Sequence, residues 1–429
     1  MTSRYMERLA KIEEVLLIAN KKIDINELRT GCSYGVPESL RPLAWRLLLH
    51  YLPLERQKWQ SFLAEQRNNY DQMIEQIIVE PGTASLGQQQ QPQPAEHGDN
   101  DHPLSDHPTS DWQAFFQDNK VLSQIDKDVR RLYPEIQFFQ LLSKFPHAHG
   151  MKYPLSRRVI NHQELQSQEF GANRDGIVGC IKTRHAKSSQ DENQAPNSEF
   201  HWHIVERILF IYAKLNPGVQ YVQGMNELVA PIYYVFANDA DDEWAAYAEA
   251  DTFFCFQQLM SEVKDNFIKT LDDSICGIES TMSAFHNLIS SFDPELHKHL
   301  TSSLEIKPQF YAFRWLSLLL SQEFPLPDVI TLWDALFSDP QRFSLLQYVC
   351  LAMMELQRDA LLKGDFSFCV RLLQNYPDPD VAKIVAFAQD IREGKAPRPL
   401  VREPSKGSKI ARHARQLSDT LRNLSLIKK

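Results

Sequence analysis

The sequence predicts an all-α protein. Stretch after stretch places apolar residues three and four apart, among them HIVERILFIYAKL, EADTFFCFQQLMSEV, DVITLWDALF and DFSFCVRLLQNYP. No stretch sustains the period-two alternation of a half-buried strand, and the breaks are short clusters of Pro, Asp and Gly. The chain has 429 residues, 43% of them hydrophobic and 10% aromatic, enough to bury a substantial core. No fixed-length repeat of the solenoid kind is present.

Residues 1–30 form a helical lead-in ending in INELR. Gly35-Val36-Pro37 then makes a turn, Ser39 offers an N-cap hydroxyl, and LRPLAWRLLLHYL has helical spacing. Arg41 and Trp45, four apart, share a face of that helix, with the arginine stem expected to pack on the indole. Helix continues over about 54–79. A polar insert of about residues 80–110 follows, rich in Gln, Pro and Gly and too polar to bury a core. Order restarts at Trp112 and runs into QIDKDVRRLYP and IQFFQLLSKF. A second polar insert spans about 146–198, after which the helical pattern resumes at Trp202.

Charge and cysteine content narrow the function. The net charge is −9 but uneven: Arg392 to Lys429 carries +8 and the rest −17. An acidic body argues against nucleic-acid binding by the folded part. The six cysteines are scattered without a CxxC pair, and several sit in apolar runs, as buried free thiols do in a reducing compartment. No apolar run is long enough to span a membrane, and the N-terminus lacks a signal peptide's hydrophobic region, so a cytoplasmic location is expected. His97, His102 and His107 in the first insert, and the pairs His147/His149 and His201/His203 flanking the second, are not spaced as a preorganised metal site. No metal is expected, and the flanking histidines read as plain solvent-facing residues.

Two stretches carry chemistry. In QIDKDVRRLYP, Ile125, Asp128 and Arg131 lie three apart along one side of a helical turn. Ile125 can anchor the turn, Asp128 can bond a backbone N–H or hold the Arg131 guanidinium, and Pro134 is expected to stop the helix. The isolated pattern is also that of an ordinary exposed ion pair. About ninety residues on, Asn216-Pro217-Gly218 turns the chain into Tyr221-Val222-Gln223-Gly224-Met225-Asn226. Gly224 removes the side chain beside Gln223, so that another molecule can approach closely, and Asn226 can cap or brace the next helix. No phosphate-binding loop of the GxxxxGK[ST] or GxGxxG kind is present.

IxxDxxR and YxQGMN, with GVPxxLRxxxW upstream and RWLxxxxxxEFPLPDVxxLWD downstream, together resemble the TBC domain, the GTPase-activating domain for Rab-type small GTPases. The resemblance runs from about Gly31 to Pro377, interrupted by the inserts, and the wording is most similar to the TBC domain family member 13 group. It divides the chain into a lead-in (1–30), the TBC domain (31–378) and a C-terminal helix with a basic tail (379–429). It implies that Arg131 is an arginine finger and Gln223 a glutamine finger, supplied in trans to a GTP-bound Rab in membrane trafficking. Asp128 then resembles the motif's supporting acid, with Ile125, Tyr221, Gly224 and Asn226 around the two fingers. Arg41, Trp45, Arg314, Trp315, Trp333 and Asp334 match framework positions. The chain would have no cofactor of its own, because GTP and Mg²⁺ arrive with the partner, and no turnover of its own. A catalytically silent Rab-binding scaffold is the alternative. Arg130 stands where many family members have proline, and its role is open.

The tail KIARHARQLSDTLRNLSLIKK sets Ile410, Leu417, Leu421 and Leu424 along one helical face among basic residues. Peripheral membrane contact is one reading and a disordered or domain-packed tail the other. The sequence names neither the target Rab nor the purpose of the inserts.

Overall fold

A computed structural model describes residues 2–18, 22–78, 111–159, 198–268, 277–377 and 380–399. Among them every regular element is helical, apart from one isolated antiparallel bridge between Leu142 and Phe200. The all-α expectation therefore holds. The first insert, residues 160–197 of the second, and the basic tail beyond 399 lie outside the described residues. No described helix is long and apolar enough to cross a membrane.

The helix His201–Leu215 occupies the middle of the N-terminal half. Its residues from Ile204 to Ala213 are all buried, as expected of a helix apolar on nearly every side. The helices Trp59–Ile77, Asp111–Val129, Met225–Ala237 and Ala248–Val263 pack around it. Its one buried cation, Arg207, is neutralised by Glu199 and by both oxygens of Glu249, at 2.6 and 2.7 Å. Gly150 lies over this guanidinium, where a Cβ would fall 2.0 Å from Nη1. Residues Leu155 and Val159 are buried in the core as well. The start of the second insert thus belongs to the folded body: the close approach at Gly150 and two apolar anchors hold it there.

In the C-terminal half, Leu326–Ser338 packs on Ile25–Cys32, Arg41–Leu48 and Val381–Arg392, and the last of these also covers Ser344–Leu356. Buried side chains from Ile12 to Ile391 form one contiguous cluster that joins the two halves. At its centre Asp334 is wholly buried. It accepts hydrogen bonds from the backbone N–H of Val36 at 2.8 Å, Arg41 Nε at 3.1 Å and Trp45 Nε1 at 2.7 Å. Arg41 and Trp45 do share a face, and a common carboxylate joins them. The indole packs against Trp333 and Phe337. Trp333 donates to the Leu319 carbonyl at 3.0 Å, Trp315 is fully buried, and Arg314 pairs with Glu323 at 2.6 Å. Ser39 does not cap the Arg41–Leu48 helix: Leu40 holds the N-cap position without a side-chain bond, and Pro42 in the first turn lacks the N–H a cap would satisfy. The described cysteines, Cys32, Cys255, Cys350 and Cys369, are free and buried.

Candidate functional site

Helix Asp111–Val129 ends five residues before Pro134, earlier than the proline alone requires. The last turn tightens into bonds from Arg131 N to Asp128 O and from Leu132 N to Val129 O, at 3.2 and 3.3 Å. Tyr133 then takes a positive φ of 38°. This sharp exit buries Leu132 and Tyr133 together, which a continued helix would place on different faces. Ile125 is fully buried and anchors the turn.

Arg131 emerges at this corner with its side chain 72% exposed. Nε donates to the Lys127 carbonyl at 2.9 Å, one of the acceptors left unpaired at a helix C-terminus. Nη2 donates to Asp128 Oδ1 at 3.1 Å. Two bonds thus fix the direction of the guanidinium. Asp128 is itself buried, and its other oxygen accepts from the Tyr221 hydroxyl at 2.8 Å. That bond spans 93 residues of sequence and ties the arginine corner to the YVQGMN loop. Burial, and then the neighbouring Asp128 carboxylate, hold the Tyr221 phenol well above its ordinary range.

Gln223, two residues beyond Tyr221, is exposed, and its side chain makes no hydrogen bond among the described residues. Gly224 is the N-cap of Met225–Ala237 with φ at 103°, and a Cβ there would come within 2.8 Å of Leu318 Cδ2. The missing side chain therefore makes room for Leu318 of this chain, and Gly224 itself lines the open side of the loop. Asn226 does not cap the helix. Its side chain lies between the Tyr221 hydroxyl at 3.3 Å and Glu227 Oε1 at 3.0 Å, bracing the loop.

Asp128, Arg131, Gln223, Gly224, Asn226, Glu227, Leu318 and Gln322 line one open cleft of about 440 Å³. The structure thus brings Arg131 and Gln223 to the same face, with both side chains free to meet another molecule. Backbone strain gathers beside it: Tyr133, Gln220, Leu319 and Leu320 all have positive φ, and Tyr133 bonds the Ser321 carbonyl at 3.4 Å. Sequence reasoning missed Glu227, Leu318 and Gln322. Glu227 adjoins the YVQGMN stretch and could have been included from that position; Leu318 and Gln322 reach the cleft only through tertiary packing.

Arg130 turns the other way. It pairs with Asp126 at 2.9 Å and lies over the Trp202 ring, 4.3 Å from its centre. It therefore braces the helix His201–Leu215 and lies outside the cleft. The four histidines flanking the second insert are half-buried and bonded, contrary to the solvent-facing expectation. His147 meets Asp71, His149 the Ile78 carbonyl, His201 the Tyr233 hydroxyl at 2.6 Å, and His203 the Phe200 N–H. Burial lowers His201 to about 4, so it is neutral near pH 7.

The family model of the Rab-GTPase-TBC domain matches residues 161–362. Human TBC1 domain family member 13 is 46% identical, over 92% of this chain and 100% of that protein. The chain belongs to the TBC domain family. A TBC domain-containing protein of Schizosaccharomyces pombe is 33% identical over 90% of this chain and 73% of its own length. Among solved structures, the Ypt/Rab-GAP domain of Gyp1p superposes with a TM-score of 0.62 at 22% identity, covering 91% of this chain and 99% of that one, a likeness of TBC fold. Gln223 lies within the stretch matched by the TBC model, and Arg131 lies ahead of it.

Proposed function

We propose that this TBC protein accelerates GTP hydrolysis by a Rab-type small GTPase, with Arg131 as arginine finger and Gln223 as glutamine finger. One observation carries the reading: an exposed guanidinium and an exposed carboxamide line a single cleft, and the Asp128–Tyr221 bond braces the segments that bear them.

Hydrolysis spreads negative charge over the γ-phosphoryl and leaving oxygens and needs an attacking water held in line. The guanidinium is permanently charged and offers fixed donors to those oxygens. With Nε and Nη2 occupied by Lys127 and Asp128, its remaining nitrogen, Nη1, points donors outward without a cost in reorientation. The Gln223 carboxamide offers one acceptor and donors, the pair of functions that orients a water against a phosphoryl group. Nucleotide and Mg²⁺ come with the partner, which is the molecule that turns over. On this reading the activity serves membrane trafficking, with the protein cytoplasmic and peripheral on endosomal or other trafficking membranes.

The test is single-turnover phosphate release from a panel of GTP-loaded Rabs mixed with purified protein. At least one Rab should be accelerated, and Arg131→Ala should remove about 10³–10⁵ of that acceleration, with Gln223→Ala also reducing it. Acceleration that survives both substitutions would overturn the reading, and binding without acceleration would point to the scaffold alternative.

A further inference from the structure

Behind the two exposed residues of the cleft runs a chain of polar side chains whose hydrogens can be arranged in two ways. Arg131 Nη2 donates to Asp128 Oδ1, and Tyr221 Oη lies 2.8 Å from Asp128 Oδ2. Asn226 Oδ1 lies 3.3 Å from the same hydroxyl, and Asn226 Nδ2 lies 3.0 Å from Glu227 Oε1. The Gln322 side chain bonds Glu227 from the opposite wall. Tyr221 has one proton and faces two acceptors, Asp128 and Asn226 Oδ1. Which end of an asparagine amide is oxygen follows from its hydrogen-bond network, so a change in the network can turn it over.

A proton on Glu227 resolves the conflict. Its O–H donates to the Asn226 amide oxygen once the amide is turned, and the amide N–H donates to the lone pair of Tyr221. The Tyr221 proton is then committed to Asp128, which holds Arg131. From Glu227 through Asn226 and Tyr221 each bond then has one donor and one acceptor and runs toward Asp128, whose two oxygens are fixed between the Tyr221 hydroxyl and Arg131 Nη2. With Glu227 ionised, the amide N–H is drawn to the carboxylate and the tyrosine proton is divided between two acceptors. A bare negative charge then also lines the cleft.

We propose that Glu227 is a positioning residue whose protonation sets the direction of this hydrogen-bond chain, holding the Arg131 guanidinium more firmly when the carboxyl is neutral than when it is ionised. The proposal rests on Arg131 being the arginine finger and identifies a pH-dependent control of that same site. Both consequences of ionisation, the divided tyrosine proton and the added charge facing a triphosphate, lower stimulation. The surroundings bring the ionisation of this carboxyl close to physiological pH. Burial raises the Glu227 carboxyl to about 7, with Asp128 and Glu135 raising it further against the hydrogen bonds of Gln322 and Asn226. The titratable and charged groups around it are Asp128, Arg131, Tyr133 and Glu135 on the finger segment and Tyr221 on its own loop, while Gln322 on the far wall is neutral and Glu323 is paired with Arg314.

Two measurements on the full chain test this. In the protein alone, the Glu227 carboxyl carbon and the Asn226 side-chain amide are followed by NMR from pH 5.5 to 8.5. Both should move with one midpoint near 7, and Glu227→Gln, whose amide can donate as the neutral acid does, should hold the Asn226 signals fixed. A Glu227 that titrates in the ordinary carboxylate range, or Asn226 signals that ignore it, overturns the proposal. Rab-stimulated phosphate release is then compared at pH 6 and 8. Wild-type stimulation, relative to that of Glu227→Gln, should fall by up to about tenfold, the change in neutral fraction across a midpoint near 7. A constant ratio overturns the control of the finger. If no Rab is accelerated at any pH while Asn226 still tracks Glu227, the functional reading fails and the hydrogen-bond chain stands.

Discussion

Asp334 and Asp128 each gather an arginine and an aromatic donor, and they do opposite things with them. Asp334 takes Arg41, the Trp45 indole and a backbone N–H, and the arginine side chain is left only 16% exposed. Asp128 takes Arg131 and the Tyr221 hydroxyl, yet its arginine stays 72% exposed. The first cluster stitches the N-terminal segment to the Leu326–Ser338 helix. The second holds a cation at a helix corner and points it outward. An aspartate, an arginine and an aromatic donor thus build a joint in one place and present a charge in the other. Which role they take depends on whether the arginine's far side meets protein or open space.

Substitutions that act differently at the two clusters sharpen this contrast. The largest effect expected is on catalysis: Arg131→Ala removes about 4–7 kcal/mol of transition-state stabilisation from Rab-stimulated hydrolysis. The same variant should cost no more than about 1 kcal/mol of unfolding free energy in urea, because the arginine is exposed and the buried Asp128 keeps the Tyr221 hydroxyl. A marked loss of stability in Arg131→Ala would erase the distinction between the clusters.

Next comes Asp334→Ala, which strands a half-buried guanidinium, a buried indole N–H and the Val36 amide. It should cost about 3–5 kcal/mol of stability by urea denaturation. A drop under about 1 kcal/mol would mean that the joint carries little of the fold's stability.

Acidity offers a third handle. Burial raises Asp334 to about 6 in spite of Arg41 and its other donors. The folded state then binds this proton more tightly than the unfolded chain does. The part of the Asp334 contribution that comes from its proton is therefore full below about pH 4 and is lost as pH rises through about 6, by at most about 3 kcal/mol, while the bonds from Arg41, Trp45 and Val36 remain. Compared with Asp334→Asn across that window, the wild-type advantage should shrink as pH rises; growth of that advantage would reverse the sign assigned to the burial.

The smallest effect is expected at the loop. Gly224→Ala must adopt a positive φ and displace Leu318, and should cost about 1–2 kcal/mol of stability. Stimulation should fall as well, because Gln223 is the preceding residue. An alanine variant with unchanged melting and unchanged stimulation would show that the tight contact with Leu318 is dispensable.

Much of this architecture was legible in the chain because helical spacing is a local property. The runs around Trp202, Met225 and Trp333 each state their own buried face. Motif residues were legible too, since Ile125, Asp128 and Arg131 need only one helical turn to lie together. Short-range signals misled where a tertiary demand took over. Ser39 has a capping hydroxyl but does not cap, and the residues around Gly150 look polar yet close over Arg207.

The sequence by itself determined the helices, the apolar faces that join them, and the residue types able to act on a phosphoryl group. Only the tertiary structure decided that Tyr221 reaches Asp128, that Leu318 and Gln322 form the facing wall, and that Glu227 lies at the end of the same hydrogen-bond chain. The physical reason is range: a helix is specified by neighbours within four residues, whereas a cleft depends on which buried faces meet and on what they leave uncovered.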